Sequence, residues 1–283
     1  MNATWRKIAK IIEPQAVVEG AGVRLKRSIG TRTLDYLDPF LLLDHFASKD
    51  PVDYQAGFPL HPHRGIETVT YLLTGAVRHR DSVGNAGEIG PGDLQWMSAG
   101  RGILHEEMPQ VCPEGVAGFQ LWVNLPKKQK MSAPRYQNIS ANEIPLIERQ
   151  GGATVRVIAG SVDGVTGPIS GIAAEPTYLD VALAPGGSFA QPVPRRHSLF
   201  AYLFEGEARF GAEESTLVAA PTLVVWGDGD GIEVSAGKSP ARFLLVSGAP
   251  LNEPIARYGP FVMNTQAEIQ QTLRELQSGM FAR

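Results

Sequence analysis

The sequence predicts an all-β protein made of two antiparallel β-barrels packed face to face, with one helix at the C-terminus. Three observations lead to this fold class. Short runs rich in Val, Leu, Thr and aromatic residues recur between turn residues, in a chain that has 31 Gly and 21 Pro among 283 residues. The two halves of the chain repeat one pattern, and clear helical periodicity is confined to the C-terminal end.

The apolar runs have the length and composition of β-strands. Turn signals such as Val83-Gly84-Asn85 and Gly90-Pro91-Gly92 separate them. Many short strands at even spacing are typical of a β-sandwich or a β-barrel. The clearest runs are Glu67–Leu73, Gly92–Met97, Phe119–Asn124, Tyr178–Leu183, Leu199–Phe204, Leu217–Trp226 and Ala241–Val246.

One stretch recurs in both halves of the chain. Tyr71-Leu72-Leu73-Thr74-Gly75 resembles Tyr202-Leu203-Phe204-Glu205-Gly206. Each is followed by a strand-like run, a glycine-rich turn and a second strand that ends in a tryptophan, Trp96 or Trp226. The repeat indicates a duplicated barrel.

The two predicted domains are residues 1–137 and 138–283. Polar residues and Pro145 interrupt the strand pattern at this join. Ser140 could begin a short linker helix there, although Pro145 limits its length.

The C-terminal end has the signature of an amphipathic helix that begins near Thr265. Thr265 and Glu268 have the spacing of a capping box. One helix face then carries apolar side chains at helical spacing, namely Ile269, Leu273 and Leu276.

Composition excludes several functional classes. The net charge is −3, which argues against direct nucleic-acid binding. Cys112 is the one cysteine, so no internal disulfide can form. Met1–Ile12 has no signal-peptide pattern, and no apolar run is long enough to span a bilayer. We therefore expect a cytoplasmic protein that does not bind membranes.

The tripeptide His61-Pro62-His63 is a candidate metal-binding pair. On a strand, the two imidazoles point to the same face, about 6 to 7 Å apart at Cα, and can converge on one ion. Pro62 donates no backbone hydrogen bond, so it favours an edge strand or a bulge. On its own, a His-x-His pair is weak evidence for a metal site, because surface histidines are common.

A second pair, His105 and Glu107, has the same spacing of two. Three imidazoles and one carboxylate suit Fe, Mn, Ni, Cu or Zn better than Ca or Mg. The alternative is that these are half-exposed polar residues on strand edges. Two matched pairs, each next to glycine-rich turns, favour the metal site.

The surroundings of both pairs resemble the two motifs of the cupin family. The first is Gly57-x3-His61-x-His63-x3-Glu67-x7-Gly75, and the second is Gly92-x5-Ser98-Ala99-Gly100-x4-His105. Ser98 stands where Pro is usual, and the gap before His105 is longer than usual. Because Glu67 takes the place of the usual cupin glutamate ligand, cupin logic alone leaves the carboxylate open between Glu67 and Glu107.

Longer stretches resemble the pirin family of two-barrel cupins. The resemblance implies iron, most simply Fe(II), held by His61, His63, His105 and Glu107. It also implies cleavage of quercetin by dioxygen in some members and transcriptional regulation in others. The matching stretches are 38–44, 57–59, 61–69, 90–105 with 107–109, 120–125 and 259–265.

Three functions remain open. The first is a dioxygenase that takes a small aromatic or enediol substrate and O2, with Glu107 as the general base. The second is a metal-binding regulator that docks a transcription factor or a metabolic enzyme. The third is a cupin that binds a sugar or a small acid.

The three histidines outside the two motifs are not predicted to bind metal. The second half has a single histidine, His197, and is predicted to be a structural barrel without metal. His45 and His79 are predicted to be hydrogen-bonded or exposed rather than ligands.

A flat substrate needs apolar side chains around it, and the sequence offers three candidates. The candidate walls are Phe58, Phe119 and Trp96, of which Trp96 fits a core position equally well. Arg64 and Arg101 either steer an anionic substrate or face solvent.

Overall fold

The computed structural model describes residues 4–212 and 215–282. Within them the regular structure is mostly β-strand, with one α-helix, α1 (Gln266–Gln277). The strands of the first half are β1 (Ile8–Ile12), β2 (Gln15–Glu19), β3 (Val23–Ile29), β4 (Phe40–Ser48), β5 (Phe58–His63), β6 (Ile66–Thr74), β7 (Ala76–Asp81), β8 (Ala86–Ile89), β9 (Leu94–Ser98), β10 (Ile103–Gln110), β11 (Val116–Asn124) and β12 (Arg135–Ile139). Those of the second half are β13 (Leu146–Arg149), β14 (Ala153–Ala159), β15 (Ser161–Val162), β16 (Val165–Thr166), β17 (Thr177–Leu183), β18 (Ser188–Pro192), β19 (Ser198–Phe210), β20 (Thr216–Ala219), β21 (Thr222–Trp226), β22 (Gly231–Gly248), β23 (Ala256–Tyr258) and β24 (Phe261–Met263).

The chain forms two compact units, and the main sheets of the two have the same strand order. In one unit the order is β12-β9-β6-β11-β4-β3-β2. In the other it is β1-β21-β19-β22-β17-β14-β13, so the strands correspond one to one. The duplication predicted from the repeated Tyr71 and Tyr202 stretches is confirmed, because these stretches lie on the corresponding strands β6 and β19.

The units are not contiguous in sequence. The first unit contains Gln15–Ala141 and Leu251–Arg283, and the second contains the chain up to Pro14 together with Asn142–Pro250. This division differs from the expected cut between residues 137 and 138. The reason is strand pairing, since β1 takes in the second unit the edge position that β12 takes in the first.

A second group of paired strands completes each barrel. In the first unit it is the four-stranded sheet β5-β10-β7-β8. In the second, the ends of the long strands β19 and β22 bend to pair with β20 and β18. The interior of the second unit is a continuous apolar core that includes Phe189, Phe210, Trp226 and Phe243.

The single helix begins where the sequence predicts. Thr265 is its N-cap, and the Thr265 side chain and the Glu268 side chain exchange hydrogen bonds as a capping box. Ile269 is buried with Phe261 and Met263 of the first unit. No helix in the described part of the chain is long and apolar enough to cross a membrane.

Five of the seven predicted strand runs fall within single strands, and the run Gly92–Met97 begins two residues before β9. The run Leu217–Trp226 is divided into β20 and β21, because the chain bends at Ala220 and Pro221 between them. At the join between the halves, the predicted linker helix is a single 3₁₀ turn, Ala141–Glu143. Strand β12 extends to Ile139, two residues beyond the predicted end of the first domain.

Candidate metal centre

Three histidines converge at the end of the small sheet of the first unit. His61 and His63 lie on β5 and His105 on β10, and the two strands pair so that His105 is directly opposite His61. Strand β5 is the edge of this sheet, as expected for a strand that contains Pro62. Because side chains two residues apart on a strand share a face, His61 and His63 both meet His105.

The three rings are close enough to share one ion. Their centroids are 4.8 Å apart for His61 and His63, 4.5 Å for His61 and His105, and 5.0 Å for His63 and His105. One nitrogen of each ring lies within 4.8 Å of the others, in the only such group of three in the described residues. Fe, Mn, Ni, Cu and Zn all accept imidazole ligands in this arrangement.

The protonation of the rings fits metal binding. Burial lowers the pKa of His105 to about 3 and the pKa of His63 well below its ordinary value, and the neighbouring rings act in the same direction. At neutral pH both imidazoles are therefore uncharged, with a lone pair available.

Individual nitrogens also point to a cation. His61 Nδ1 lies 2.9 Å from the carbonyl oxygen of Pro59, so Nδ1 donates to this oxygen and Nε2 is the nitrogen that faces His63. His61 Nε2 is 3.0 Å from His63 Nε2. The buried His105 Nε2 has no hydrogen-bond partner among the described residues. A shared cation satisfies all three rings, so the residues present fit a transition metal.

Glu107 lies beside the histidines and outside the cluster of three. The pairing of β10 with β5 shifts register between His105 and Glu107, so Glu107 is opposite Phe58. Its Oε1 accepts a hydrogen bond of 2.9 Å from the Thr70 hydroxyl, and the side chain is buried. The carboxylate is thus held next to the imidazoles by the opposite sheet.

Glu67 is directed elsewhere. It is on β6 at an odd position, and Thr70 at an even one, so the two side chains leave opposite faces of the strand. Glu67 accepts a hydrogen bond of 2.5 Å from Ser98 Oγ, and burial raises the pKa of its carboxyl group. Because the Glu67 side chain lies on the face of β6 opposite to that of Thr70, it cannot join the histidine cluster.

A cavity of about 610 Å³ opens from the histidines. Its floor is a polar row across four neighbouring strands, because Thr70, Gln120, Asp44 and Arg27 are directly opposite one another in register. Thr70 Oγ1 is 2.6 Å from Gln120 Oε1, and Arg27 binds Asp44 through two hydrogen bonds of 2.7 Å.

Aromatic rings form the apolar walls of the same cavity. Phe46, Phe58 and Trp122 line it, and the edge of Trp122 packs against the His63 ring at 5.1 Å between centroids. Gly118 leaves room for Phe46, since a Cβ at this position would lie 2.9 Å from Phe46 Cζ. The cavity therefore offers flat apolar contact on its walls and hydrogen bonding on its floor.

Comparison with known proteins agrees with this architecture. The family model described as Pirin matches residues 22–123, and the model of the Pirin C-terminal cupin domain matches residues 178–282. The chain belongs to the pirin family.

Relatives match this pirin along nearly its whole length. A Pirin-like protein of Caulobacter vibrioides is 46% identical over 98% of this chain and 99% of its own length. Pirin of Homo sapiens is 43% identical over 96% of this chain and 93% of its own. Among solved structures, quercetin 2,3-dioxygenase from Acinetobacter baumannii has a TM-score of 0.88 at 35% identity and covers 98% of both chains.

Only one of the three predicted wall residues lines the cavity. Phe58 lines the cavity, as predicted. Phe119 and Trp96 do not, because both are buried on the opposite face of the main sheet. Arg64 and Arg101 lie outside this cavity as well. Arg64 is buried and does not face solvent.

The remaining histidines of the pirin chain lie outside the cluster. His45 stacks on Phe119 with 4.8 Å between ring centroids, and its pKa is lowered to about 4 by burial. In the second unit His197 Nδ1 is 3.3 Å from Ser247 Oγ. Only His79 approaches the site.

His79 is a neighbour of the site that its sequence context did not reveal. It lies on β7 directly opposite Glu107, is buried, and stacks on Tyr136 with 6.3 Å between ring centroids. Gly87 on the adjacent strand makes room for it, because a Cβ there would be 2.8 Å from His79 Nε2. Pairing of β7 with β10 is the signal that would have found it.

Proposed function

We propose that this protein is an iron-dependent dioxygenase that cleaves quercetin or a related flavonol or enediol with O2. One observation carries the proposal: three imidazoles converge, and two of them, His61 and His63, line a 610 Å³ cavity that has aromatic walls and a polar floor. A related structure at 35% identity, which matches along 98% of both chains, is named quercetin 2,3-dioxygenase.

We propose His61, His63, His105 and Glu107 as the metal ligands. The first three form the convergent group, and Glu107, which lines the same cavity as His61 and His63, would add an oxygen donor. A bound iron would stabilise the anionic form of a substrate hydroxyl as a Lewis acid and promote reaction with O2.

Glu107 is the proposed general base. Its Oε1 accepts a hydrogen bond from Thr70, so Oε2 remains to take the proton of a substrate hydroxyl. The proton then resides on Oε2, and the deprotonated enediol is the electron-rich species that reacts with O2. Thr70 Oγ1 is also 2.6 Å from Gln120 Oε1, so two acceptor oxygens share the one hydroxyl proton of Thr70.

The walls and floor select the substrate. Phe46, Phe58 and Trp122 provide flat surfaces for an aromatic ring system and exclude water from the base. Gln120 and Asp44 on the floor offer hydrogen-bond partners to further hydroxyl groups of a polyphenol.

Oxygen uptake with quercetin is the decisive experiment. The protein is purified without added metal, its metal content is measured, and O2 consumption is followed after loading with Fe(II). We expect turnover above that of free iron. Glu107→Gln should lower kcat by about 10² to 10⁴, the usual contribution of general acid–base catalysis.

Glu106 provides a matched control. It is the next residue on β10, points to the opposite face, and pairs with Arg80 at 2.5 Å. Glu106→Gln should leave turnover near that of the parent. His105→Ala should abolish stoichiometric metal binding while the barrels stay folded.

Three results would each reject part of the proposal. Loaded protein that consumes no more O2 than free iron would replace the enzyme with a metal-binding regulator. Full iron occupancy in His105→Ala would remove the proposed ligand set, and a Glu107→Gln protein with equal iron and full rate would remove the base.

A further inference from the structure

A second cavity lies on the first unit, away from the histidines. Its volume is about 530 Å³, and it is bounded by the end of α1 and by residues that adjoin β5, β9 and β10. None of its lining residues lines the metal cavity. It is therefore a separate concave site.

Arg64 is the buried wall of this second cavity. Only 3% of Arg64 is exposed, and its Nη1 bonds to Glu275 at 2.7 Å and to Thr272 at 3.1 Å. The guanidinium stacks over Phe281, 4.5 Å from the ring centroid. Its buried Nε has no hydrogen-bond partner in the described part of the chain. An unpaired buried donor on a cation is costly, so this nitrogen favours an added acceptor.

Two more arginines line the cavity. Arg101 is exposed, and its side chain makes no hydrogen bond or ion pair with the described residues. Arg274 is exposed and donates to Gln271 at 2.7 Å. Glu275 is the one carboxylate among the lining residues, so three guanidinium groups face a single negative charge.

The end of the helix explains only part of this charge. A cation in the last turn, such as Arg274, is favoured by the negative end of the helix dipole. Arg64 and Arg101 lie on other elements, where the helix dipole does not account for them.

Methionines give the cavity an apolar rim. Met131 is 54% exposed and Met280 is 57% exposed, and both line it together with the buried Phe281. Exposed methionine is a flexible apolar surface that adapts to bound molecules. The cavity thus combines a cationic wall with an apolar edge.

We propose that this cavity binds a small organic oxyanion, a carboxylate or phosphate attached to an apolar group. Guanidinium groups bind such oxygens through paired, charge-assisted hydrogen bonds. The apolar group of the ligand contacts Met131 and Met280. Arg64 directly follows His63, and Arg101 lies in the turn that leads into the strand of His105, so the ligand touches both segments that carry metal-site histidines.

Calorimetric titration with phenyl phosphate, benzoate and inorganic phosphate tests the proposal at constant ionic strength. We expect one phenyl phosphate per chain, bound more tightly than inorganic phosphate because of the apolar rim. Arg101→Gln and Arg274→Gln should each weaken binding by roughly tenfold or more, the size of a lost hydrogen bond to a charged group.

Two variants serve as controls. Arg209→Gln removes the same charge from an exposed position on β19 of the other unit, and should bind phenyl phosphate like the parent. His61→Ala alters the metal cavity and should also bind normally, which separates this site from the proposed oxygenase.

Three outcomes would overturn the proposal. The first is no saturable binding of phenyl phosphate or benzoate up to roughly 10 mM, the range of unspecific affinity. The second is an Arg101→Gln protein that binds as tightly as the parent. The third is binding that is lost in His61→Ala and kept in Arg101→Gln, which would place the ligand in the metal cavity.

Discussion

Thr70→Val removes one hydroxyl from the floor of the metal cavity. Thr70 is 4% exposed, and its oxygen is 2.9 Å from Glu107 Oε1 and 2.6 Å from Gln120 Oε1. Valine keeps the shape and the β-branch, so packing changes little. A hydrogen bond to a charged group contributes about 1.5 to 3 kcal/mol. We therefore expect the free energy of unfolding of the first unit to fall by about 2 kcal/mol.

Thr68 supplies the matched control. It lies on the same face of β6, is 3% exposed, and makes no side-chain hydrogen bond with the described residues. Thr68→Val should cost less than Thr70→Val. Scanning calorimetry measures both, and the transition of the first unit is recognised because added metal ion shifts it.

Comparing the destabilisation of the two variants tests whether the Thr70 hydroxyl supports Glu107. Equal destabilisation by Thr68→Val and Thr70→Val would mean that the hydroxyl does not support Glu107 in solution. The support of the proposed base by the main sheet would then be rejected.

Three other substitutions have clear expected effects. Gly118→Ala should destabilise the first unit by about 1 to 3 kcal/mol, since the new Cβ lies 2.9 Å from Phe46 Cζ, and the metal-sensitive calorimetric transition measures this. Lys130→Met should lower the same transition by about 3 kcal/mol, because the buried ammonium donates to three oxygens at 2.7 to 2.8 Å, whereas exposed Lys128→Met should not. Arg6→Gln should lower the transition of the second unit by about 2 to 4 kcal/mol, because the guanidinium donates to five backbone carbonyls, and an unchanged transition would contradict this.

Much of the fold could be predicted because local patterns carry it. Strands of period two, glycine-rich turns and the repeated tyrosine stretches specify two barrels, and the capping box at Thr265 specifies where the helix begins. The partner of β1 could not be predicted. Its short apolar run fits an edge position in either sheet, and only the long-range pairing with β21 assigns it to the second unit.

The metal site also has a part that the sequence predicts and a part that it does not. The spacing of two in His61-Pro62-His63 predicts that the rings share a face, and the structure brings both together with His105. The supporting residues could not be predicted, because Thr70 and Gln120 meet Glu107 only through register across the barrel. Glu67 has the right spacing for a cupin ligand, and only its strand face excludes it.

The exchange of the chain ends between the units has a consequence for synthesis on the ribosome. The strand β1 emerges first, yet its partner β21 is made more than 200 residues later. The histidine strands emerge early, but their unit also needs the segment that begins at Leu251 and contains α1. The unit that contains β1 therefore has all of its strands once Pro250 has emerged, whereas the unit that contains the histidines is completed only afterwards.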